Sequence, residues 1–592
     1  MPGRRRGPFL AALFVSVFFL DACASARVGS RELSLDEKIG QLFVVATPGP
    51  FMNEGSPRYR ELQRQVAENR VGGIHWATWS NVLETAFVNR RLQRLARIPL
   101  LVSSDLEAGV GMRFADTTWW PWAMAVGATG DPGLAQRQGE ITGEEARAIG
   151  LNQIYAPVAD VNVDPDNPVI NVRSFGEDPE EVARYVAAFV RGVESRGVIA
   201  TVKHFPGHGD TRTDSHRSLP VLTVSRERLE KVELVPFRAA IAAGAGSVMT
   251  AHLSVPVLDD TPVPDRPEGA AENPYTHDAA EVARNATMPA SLSRRISNDL
   301  LRGEMGFRGL VVTDALDMGG IVDHFDPADA AVAAILAGAD QVLKSTNTDA
   351  AIAGVKRAVA DGRIPMARID EAVARVLAAK ARVGAPEPDM EKIFRAVDSP
   401  EHRAVAQEIA RRCLTLIREA PGALPLDPGL RLLHVIASDG TQGRVGDEMI
   451  RQLKSRLRQA PETVVLDTHS DEKTAQAVVE SAGKADVVLL SVFVRFQSGK
   501  GTLAVPDPPK AILVKIAAAN PRVVTVSFGT PYLLRELPEL PTYLAAYGAQ
   551  PDLQAAAAQA LFGETAITGR LPVTIPGLAP RGSGIQKPAV TR

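Results

Sequence analysis

The stretch Val198-Ile-Ala-Thr-Val-Lys-His204 is apolar but for one threonine, then ends in a lysine and a histidine. A continuous apolar run of this length fits a parallel strand buried on both faces. Seven other runs share the form. Before it come Gly40-Gln-Leu-Phe-Val-Val-Ala46, Val71-Gly-Gly-Ile-His-Trp76, Pro99-Leu-Leu-Val-Ser-Ser-Asp105 and Gln153-Ile-Tyr-Ala-Pro-Val-Ala-Asp160. After it come Gly246-Ser-Val-Met-Thr-Ala-His252, Gly309-Leu-Val-Val-Thr-Asp314 and Ala339-Asp-Gln-Val-Leu-Lys344. Helical patterns separate them. In 180–196 the apolar residues Val182, Tyr185, Val186, Phe189, Val190 and Val193 recur at intervals of three and four. Eight strand-then-helix units predict an α/β fold with an N-terminal (β/α)8 barrel of TIM type over residues 30–385. An open doubly wound sheet has the same strand count and stays open at this point.

Polar residues collect where the runs end: Asp105, Asp160, Lys203, His204, His252, Asp314 and Lys344. Barrel enzymes place their chemistry at the C-terminal ends of their strands, whereas purely structural polar residues would scatter. The pattern predicts an enzyme.

Beyond the barrel, residues 386–402 read as a linker rich in proline and acid. The runs 432–437, 487–494, 523–528 and 543–547 then alternate with helical segments. They predict a second, smaller α/β sandwich domain over 403–580 with an open parallel sheet, and a flexible tail over 581–592. Gly440-x-x-Gly443-x-x-Gly446 and Ser498-Gly-Lys-Gly-Thr502 match neither a dinucleotide nor a P-loop spacing and are read as loops.

Composition narrows the function classes. The 592 residues are 45% hydrophobic and 23% charged, which excludes a disordered chain and a polytopic membrane protein. With 66 basic and 69 acidic residues there is no nucleic-acid surface to expect. Cys23 and Cys413 are too few and too far apart for a disulfide framework or a thiolate zinc site. Residues 1–24 read as a signal peptide: Arg4-Arg-Arg6, an apolar run from Phe9 to Leu20, then Leu20-Asp-Ala-Cys23. A lipid on Cys23, cleavage by a plain signal peptidase and an uncut anchor all place the body of the chain outside the cytoplasm. The expectation is a periplasmic or envelope-associated protein, lipid-anchored through Cys23.

The densest chemistry is Lys203-His-Phe-Pro-Gly-His-Gly-Asp210, followed by Asp214-Ser-His216. His204 and His208 have a zinc-like spacing, but Pro206 and Gly207 break any helix between them, so no metal site is expected. Asp214 and His216 suit another use. A carboxylate can hold an imidazole in one tautomer and stabilise its cation, as in hydrolase triads. A local loop hydrogen bond is the alternative.

Residues 203–216 resemble glycoside hydrolase family 3, together with Asn171-Val-Arg-Ser-Phe-Gly-Glu-Asp-Pro179 and Val311-Val-Thr-Asp-Ala-Leu-Asp-Met318. The Lys-His-Phe-Pro-Gly-His-Gly and Asp-x-His combination is similar to its β-N-acetylglucosaminidase branch. Residues 420–426, Ser527-Phe-Gly-Thr-Pro-Tyr532, Leu561-Phe-Gly-Glu564 and Gly569-Arg-Leu-Pro-Val-Thr574 resemble that family's second domain, so the likeness runs over most of 33–576.

The resemblance implies roles. Asp314 falls at the nucleophile, His216 at the acid/base and Asp214 at its partner. Asp105 falls at the residue that binds hydroxyls at the far side of the sugar. Arg113, Arg173, Lys203 and His204 fall at other sugar-binding positions. Asp317 is a competing carboxylate read as structural, and Lys203 and Arg173 have an alternative as partners of strand-end carboxylates such as Asp160. Two features depart from the family pattern. Glu107-Ala-Gly-Val110 replaces Glu-Gly-Gly-Arg, and a Pro-, Asp- and Glu-rich insertion follows the sixth strand between Val257 and Thr287.

What the resemblance implies is a retaining, exo-acting β-N-acetylglucosaminidase that needs no cofactor and takes carbohydrate from cell-wall fragments or related oligosaccharides. A β-glucosidase or β-xylosidase, a phosphorylase, and a sugar-binding lipoprotein with a dead barrel are the rival readings.

Overall fold

The structure is a computed structural model that describes residues 32–590 except 48, 50, 51, 266–285, 441–444 and 495–498. The signal segment with Cys23, most of the insertion, Gly443 and Ser498 lie outside the described residues.

Each of the eight runs forms a strand. They are β1 (Phe43–Ala46), β2 (Gly73–Trp76), β3 (Leu101–Ser104), β4 (Gln153–Ile154), β5 (Ile199–Phe205), β6 (Ser247–Thr250), β7 (Leu310–Thr313) and β8 (Val342–Leu343). All pair in parallel, β1 taking β8 on one side and β2 on the other. The remaining strands follow in chain order out to β7. Val312 bridges Gln341, and the Thr313 N–H donates to Gln341 O at 3.1 Å, so β7 meets β8 and the sheet closes. Closure decides for the barrel over the open sheet.

β4 is shorter than its run. Pro157 lacks an N–H, and beyond Ile154 the backbone pairing with β5 is reduced to an isolated bridge between Val158 and Lys203.

The helix after β4 spans Pro179–Glu194. Asp178 caps it by accepting the N–H groups of Glu180 and Glu181, Pro179 fits the first turn, and the apolar stripe read from sequence is buried.

The second domain holds a six-stranded sheet. Its strands are β9 (Thr415–Arg418), β10 (Leu432–Ser438), β11 (Glu462–Leu466), β12 (Val487–Phe493), β13 (Val523–Ser527) and β14 (Thr542–Ala545), in the spatial order β9-β14-β13-β12-β10-β11. β9 runs antiparallel to β14 and the others are parallel, a correction to the wholly parallel sheet expected. β9 and β11 are edge strands that the apolar pattern did not reveal. Glu462–Leu466 is largely solvent-facing, so its burial signal is weak.

Two boundaries also need correction. The linker expected at 386–402 contains a helix, Met390–Ala396, and runs into another, Pro400–Cys413. Ile393, Val405 and Ile409 pack in the barrel core, while Ala410 and Cys413 pack in the second domain's core. The segment is a bracket between two cores. The tail expected from 581 is held as well: Ile585 bridges Leu416 and Lys587 bridges Ile567.

The domains dock closely. Met124, Ala125, Ala128 and Val172 of the barrel belong to the second domain's apolar core. Tyr532 Oη accepts from Asn162 Nδ2 at 3.0 Å, and Glu177 accepts the Thr574 N–H at 2.6 Å.

Candidate active site

A cavity of about 200 Å³ opens at the C-terminal ends of the barrel strands. Asp105, Arg113, Arg173, Lys203, His204, His216 and Asp314 all line it. Seven of the eight site residues read from sequence therefore meet in one place. The eighth, Asp214, stands behind His216.

One wall is a buried charge network. Lys203, on β5, lies 2.7 Å from Asp105 Oδ1 and 2.7 Å from Glu107 Oε1. Arg173 grips Glu107 in a two-pronged contact, Nε to Oε2 and Nη2 to Oε1, both at 2.7 Å. His75 Nε2 at 3.5 Å and Arg113 Nη2 at 3.8 Å flank Asp105 Oδ2. Burial opposes the charge on Asp105, but Lys203, His75 and Arg113 outweigh it and hold its carboxyl well below the usual range. Glu107 is held low in the same way, against burial, by Arg173 and Lys203. Burial works against the Lys203 ammonium, and the two carboxylates raise its pKa regardless.

Lys203 and Arg173 thus pair with Asp105 and Glu107. Asp160 instead holds two histidines. Its Oδ2 takes His204 Nδ1 at 2.7 Å, and its Oδ1 takes the His208 N–H at 2.7 Å. An ionised carboxylate only accepts, so His204 Nδ1 carries a proton, and Nε2 lies 3.4 Å from Arg173 Nη2.

His208 Nδ1 bonds Thr211 Oγ1 at 2.8 Å, and burial pushes its imidazole down to about 4. Among the described residues no group of three or more His, Cys, Asp or Glu is placed to hold a metal ion.

Asp314 follows β7. Its N–H donates to Thr250 O at 3.0 Å, and its Oδ1 accepts the Ala315 N–H at 2.7 Å. Burial raises its pKa, but the imidazoles of His252 and His204, the Ala315 N–H and His216 outweigh it, and the net shift is downward. Asp317 also lines the cavity, but Lys344 Nζ engages it at 2.7 Å. No ion pair among the described residues engages Asp314.

The opposite wall is a loop after β5. His216 Nδ1 lies 2.8 Å from Asp214 Oδ1, and the His216 N–H donates to the same oxygen at 2.9 Å. Burial would raise the Asp214 pKa, but the two His216 bonds and the Gly499 N–H pull it down.

The sequence gives three contributors no role of their own. Glu107 was noted only as part of a departing loop, yet it anchors Arg173 and Lys203. His75 stacks on Tyr155, with ring centroids 4.9 Å apart, and steadies Asp105. Its signal was available, since it is a polar residue near the end of the second run. His252 Nε2 lies 2.9 Å from Ala315 O, beside the Asp314 loop.

The chain as a whole is similar to known proteins. Residues 34–379 match the description "Glycosyl hydrolase family 3 N terminal domain", and residues 414–584 match "Glycosyl hydrolase family 3 C-terminal domain". A Cellulomonas fimi protein named beta-N-acetylglucosaminidase/beta-glucosidase is 31% identical over 567 residues, 93% of this chain and 96% of that protein. The solved structure of a glycoside hydrolase family 3 beta-N-acetylglucosaminidase from Paenibacillus sp. str. FPU-7 is similar at a TM-score of 0.78 and 33% identity, over 92% of this chain and 99% of that one. A beta-glucoside phosphorylase structure is similar at a TM-score of 0.80 and 26% identity, over 92% and 95%.

Proposed function

The chain belongs to glycosyl hydrolase family 3, as a glycoside hydrolase, and from that premise we propose that it removes terminal β-linked N-acetylglucosamine with retention of configuration. The observation that carries this reading is the pair Asp214–His216 beside a cavity that His216 and Asp314 both line. Its substrates are cell-wall fragments or related oligosaccharides. It is exported with a lipid on Cys23, and a diacylglyceryl mass on a mature N-terminal peptide beginning at Cys23 is the result that tests this.

The groups divide the chemistry between them. The charged wall of Asp105, Arg113, Lys203, Arg173 and His204 binds the hydroxyls of a single terminal ring. Its ion pairs are made before substrate arrives, so little reorganisation is needed. Asp314, ionised because its pKa is lowered, attacks the anomeric carbon and forms a glycosyl ester. Facing an ionised Asp214, His216 must carry a proton on Nδ1, so Nε2 is the atom that exchanges one. As imidazolium it protonates the leaving oxygen; once neutral it takes the proton from the incoming water.

A second reading has its own support. A neutral imidazole repels an anionic acceptor less than a carboxylate does, and a beta-glucoside phosphorylase is among the similar structures. Phosphorolysis is therefore the alternative outcome. Proton NMR of the reaction with an aryl N-acetylglucosaminide, with and without phosphate, tests both. Hydrolysis with retention gives the β-anomer first. A sugar phosphate formed at the expense of free sugar selects phosphorolysis, and a first-formed α-anomer of free sugar overturns the mechanism. The aryl glucoside as sole substrate would select the glucosidase reading.

A further inference from the structure

The glycine-bearing stretch Gly499-Lys-Gly501 of the second domain has no part in the chemistry above, yet it lies against the Asp214–His216 pair. Asp214 is 2% exposed. Its Oδ1 is occupied by His216, and its Oδ2 accepts the backbone N–H of Gly499 at 2.8 Å. That donor comes from a different domain, 285 residues further along the chain. A buried carboxylate oxygen left without a donor is costly, so this bond fixes the carboxylate as well as satisfying it.

The stretch is itself tied down. Lys500 Nζ lies 2.8 Å from Asp439 Oδ2, and Asp439 follows directly on β10 and is buried. Gly499 and Gly501 both sit in the left-handed region, at φ +78° and +72°. A Cβ on Gly501 would stand 2.6 Å from Nη1 of Arg217, the residue after His216. The stretch therefore meets the catalytic loop at two places, with an ion pair to the sheet between them.

We infer that Lys500 and Asp439 are positioning residues for proton transfer: their ion pair holds the Gly499 N–H on Asp214, so the second domain completes the acid/base. The inference rests on the proposed roles of Asp214 and His216. Neither Lys500 nor Asp439 lines the cavity. They act by fixing the plane of the carboxylate that sets the tautomer and angle of the imidazole, and misplacing a catalytic group slows reaction steeply.

The test uses the full chain with Asp439→Asn, Lys500→Met, the double variant and Lys500→Arg. For each, kcat/KM is measured on aryl N-acetylglucosaminides of graded leaving-group acidity. The single variants are expected to slow the poorest leaving group roughly tenfold, within the ~10²–10⁴-fold that a general acid supplies, and to spare the most activated one. The double variant falls no further than either single one, and Lys500→Arg recovers most of the rate. Thermal melts establish that each variant is folded. An equal loss on all substrates, or no loss, overturns the inference. His216→Ala measured alongside separates the two levels. If it shows the leaving-group dependence and the loop variants do not, only this inference falls. If it shows none, the acid assignment falls and this inference with it.

Discussion

Lys203 and Lys380 are both buried in the barrel, at opposite ends. Lys203 stands at the C-terminal end of β5 between Asp105 and Glu107, each 2.7 Å away. Lys380 lies on the helix Met366–Val383, and its Nζ bonds Gln41 Oε1 at 2.5 Å just before β1. Among the described residues no carboxylate pairs with it. The surroundings drive the two ammonium groups apart. Against the pull of burial, two carboxylates raise the pKa of Lys203; burial alone pushes Lys380 down to about 7. At the C-terminal end of the strands Lys203, Asp105, Glu107 and Arg173 each have a counter-charge. At the other end a charge is tolerated as a defect. Barrels keep function at one face and stability at the other, and these two side chains display that division.

The sharpest way to break the contrast is at Asp314. If the chemistry belongs to the C-terminal face, Asp314→Asn should lower kcat on every substrate by at least on the order of 10⁴-fold, because no leaving group removes the need for a nucleophile. A mechanism-based fluorosugar should label Asp314 in the native chain and nothing in the variant, as intact-mass spectrometry would read. Substantial turnover by the variant would move the nucleophile elsewhere, with Asp317 next to be tried.

His216→Ala should cost roughly 10²–10⁴-fold on unactivated glycosides and far less on the glycosylation of an activated aryl glycoside. Without a base the glycosyl-enzyme should accumulate, giving a burst, and azide should speed its turnover. Asp214→Asn should be intermediate, since it keeps the imidazole but weakens its cation. Equal slowing of all substrates with no burst would make the histidine a binding residue.

How much of this contrast the sequence carried follows from the range of the interactions. A strand buried on both faces writes itself as an apolar run, so all eight barrel strands were legible, and the polar residues closing those runs marked Asp105, Lys203, His204 and Asp314. Asp214 and His216 are two apart, and their bond is local. Glu107, Asp160 and Gly499 were not legible as partners. They act on Arg173, His204 and Asp214 across distances in the chain that leave no periodic trace. The ordered end of the chain was missed for the same reason, since Ile585 owes its place to Leu416, far upstream.

Lys203→Met tests the compensated lysine. Removing the shared cation leaves Asp105 and Glu107 facing each other with fewer counter-charges, and breaking a buried pair in this way typically costs ~3–5 kcal/mol. His75, Arg113 and Arg173 remain, so the low end of that range is expected, as a lower Tm together with a raised KM. A neutral effect on both would mean that the network is ornamental.

Lys380→Met is the smallest effect and the most telling, because its sign should reverse with pH. Below pH 7 the lysine is charged in both folded and unfolded chains, and the folded state bears the full penalty of burying it. Its pKa is about 7 when folded, against ~10.4 for a free lysine, so between these values the unfolded chain binds more protons. Stability from this group therefore rises as pH climbs from 7, and the penalty is gone above the free value. A shift of this size corresponds to a penalty on the order of 4 kcal/mol below pH 7. Methionine keeps the length and removes the charge, but leaves Gln41 Oε1 without its donor, at a cost of ~1–3 kcal/mol. At pH 6 the variant should melt higher than the native chain, and near pH 10 it should melt level with it or lower. Activity at pH 7 should not change, since the residue is at the far end of the barrel from the cavity. A variant that melts lower at pH 6 would mean that Lys380 is compensated after all, and that the two ends of the barrel are built alike.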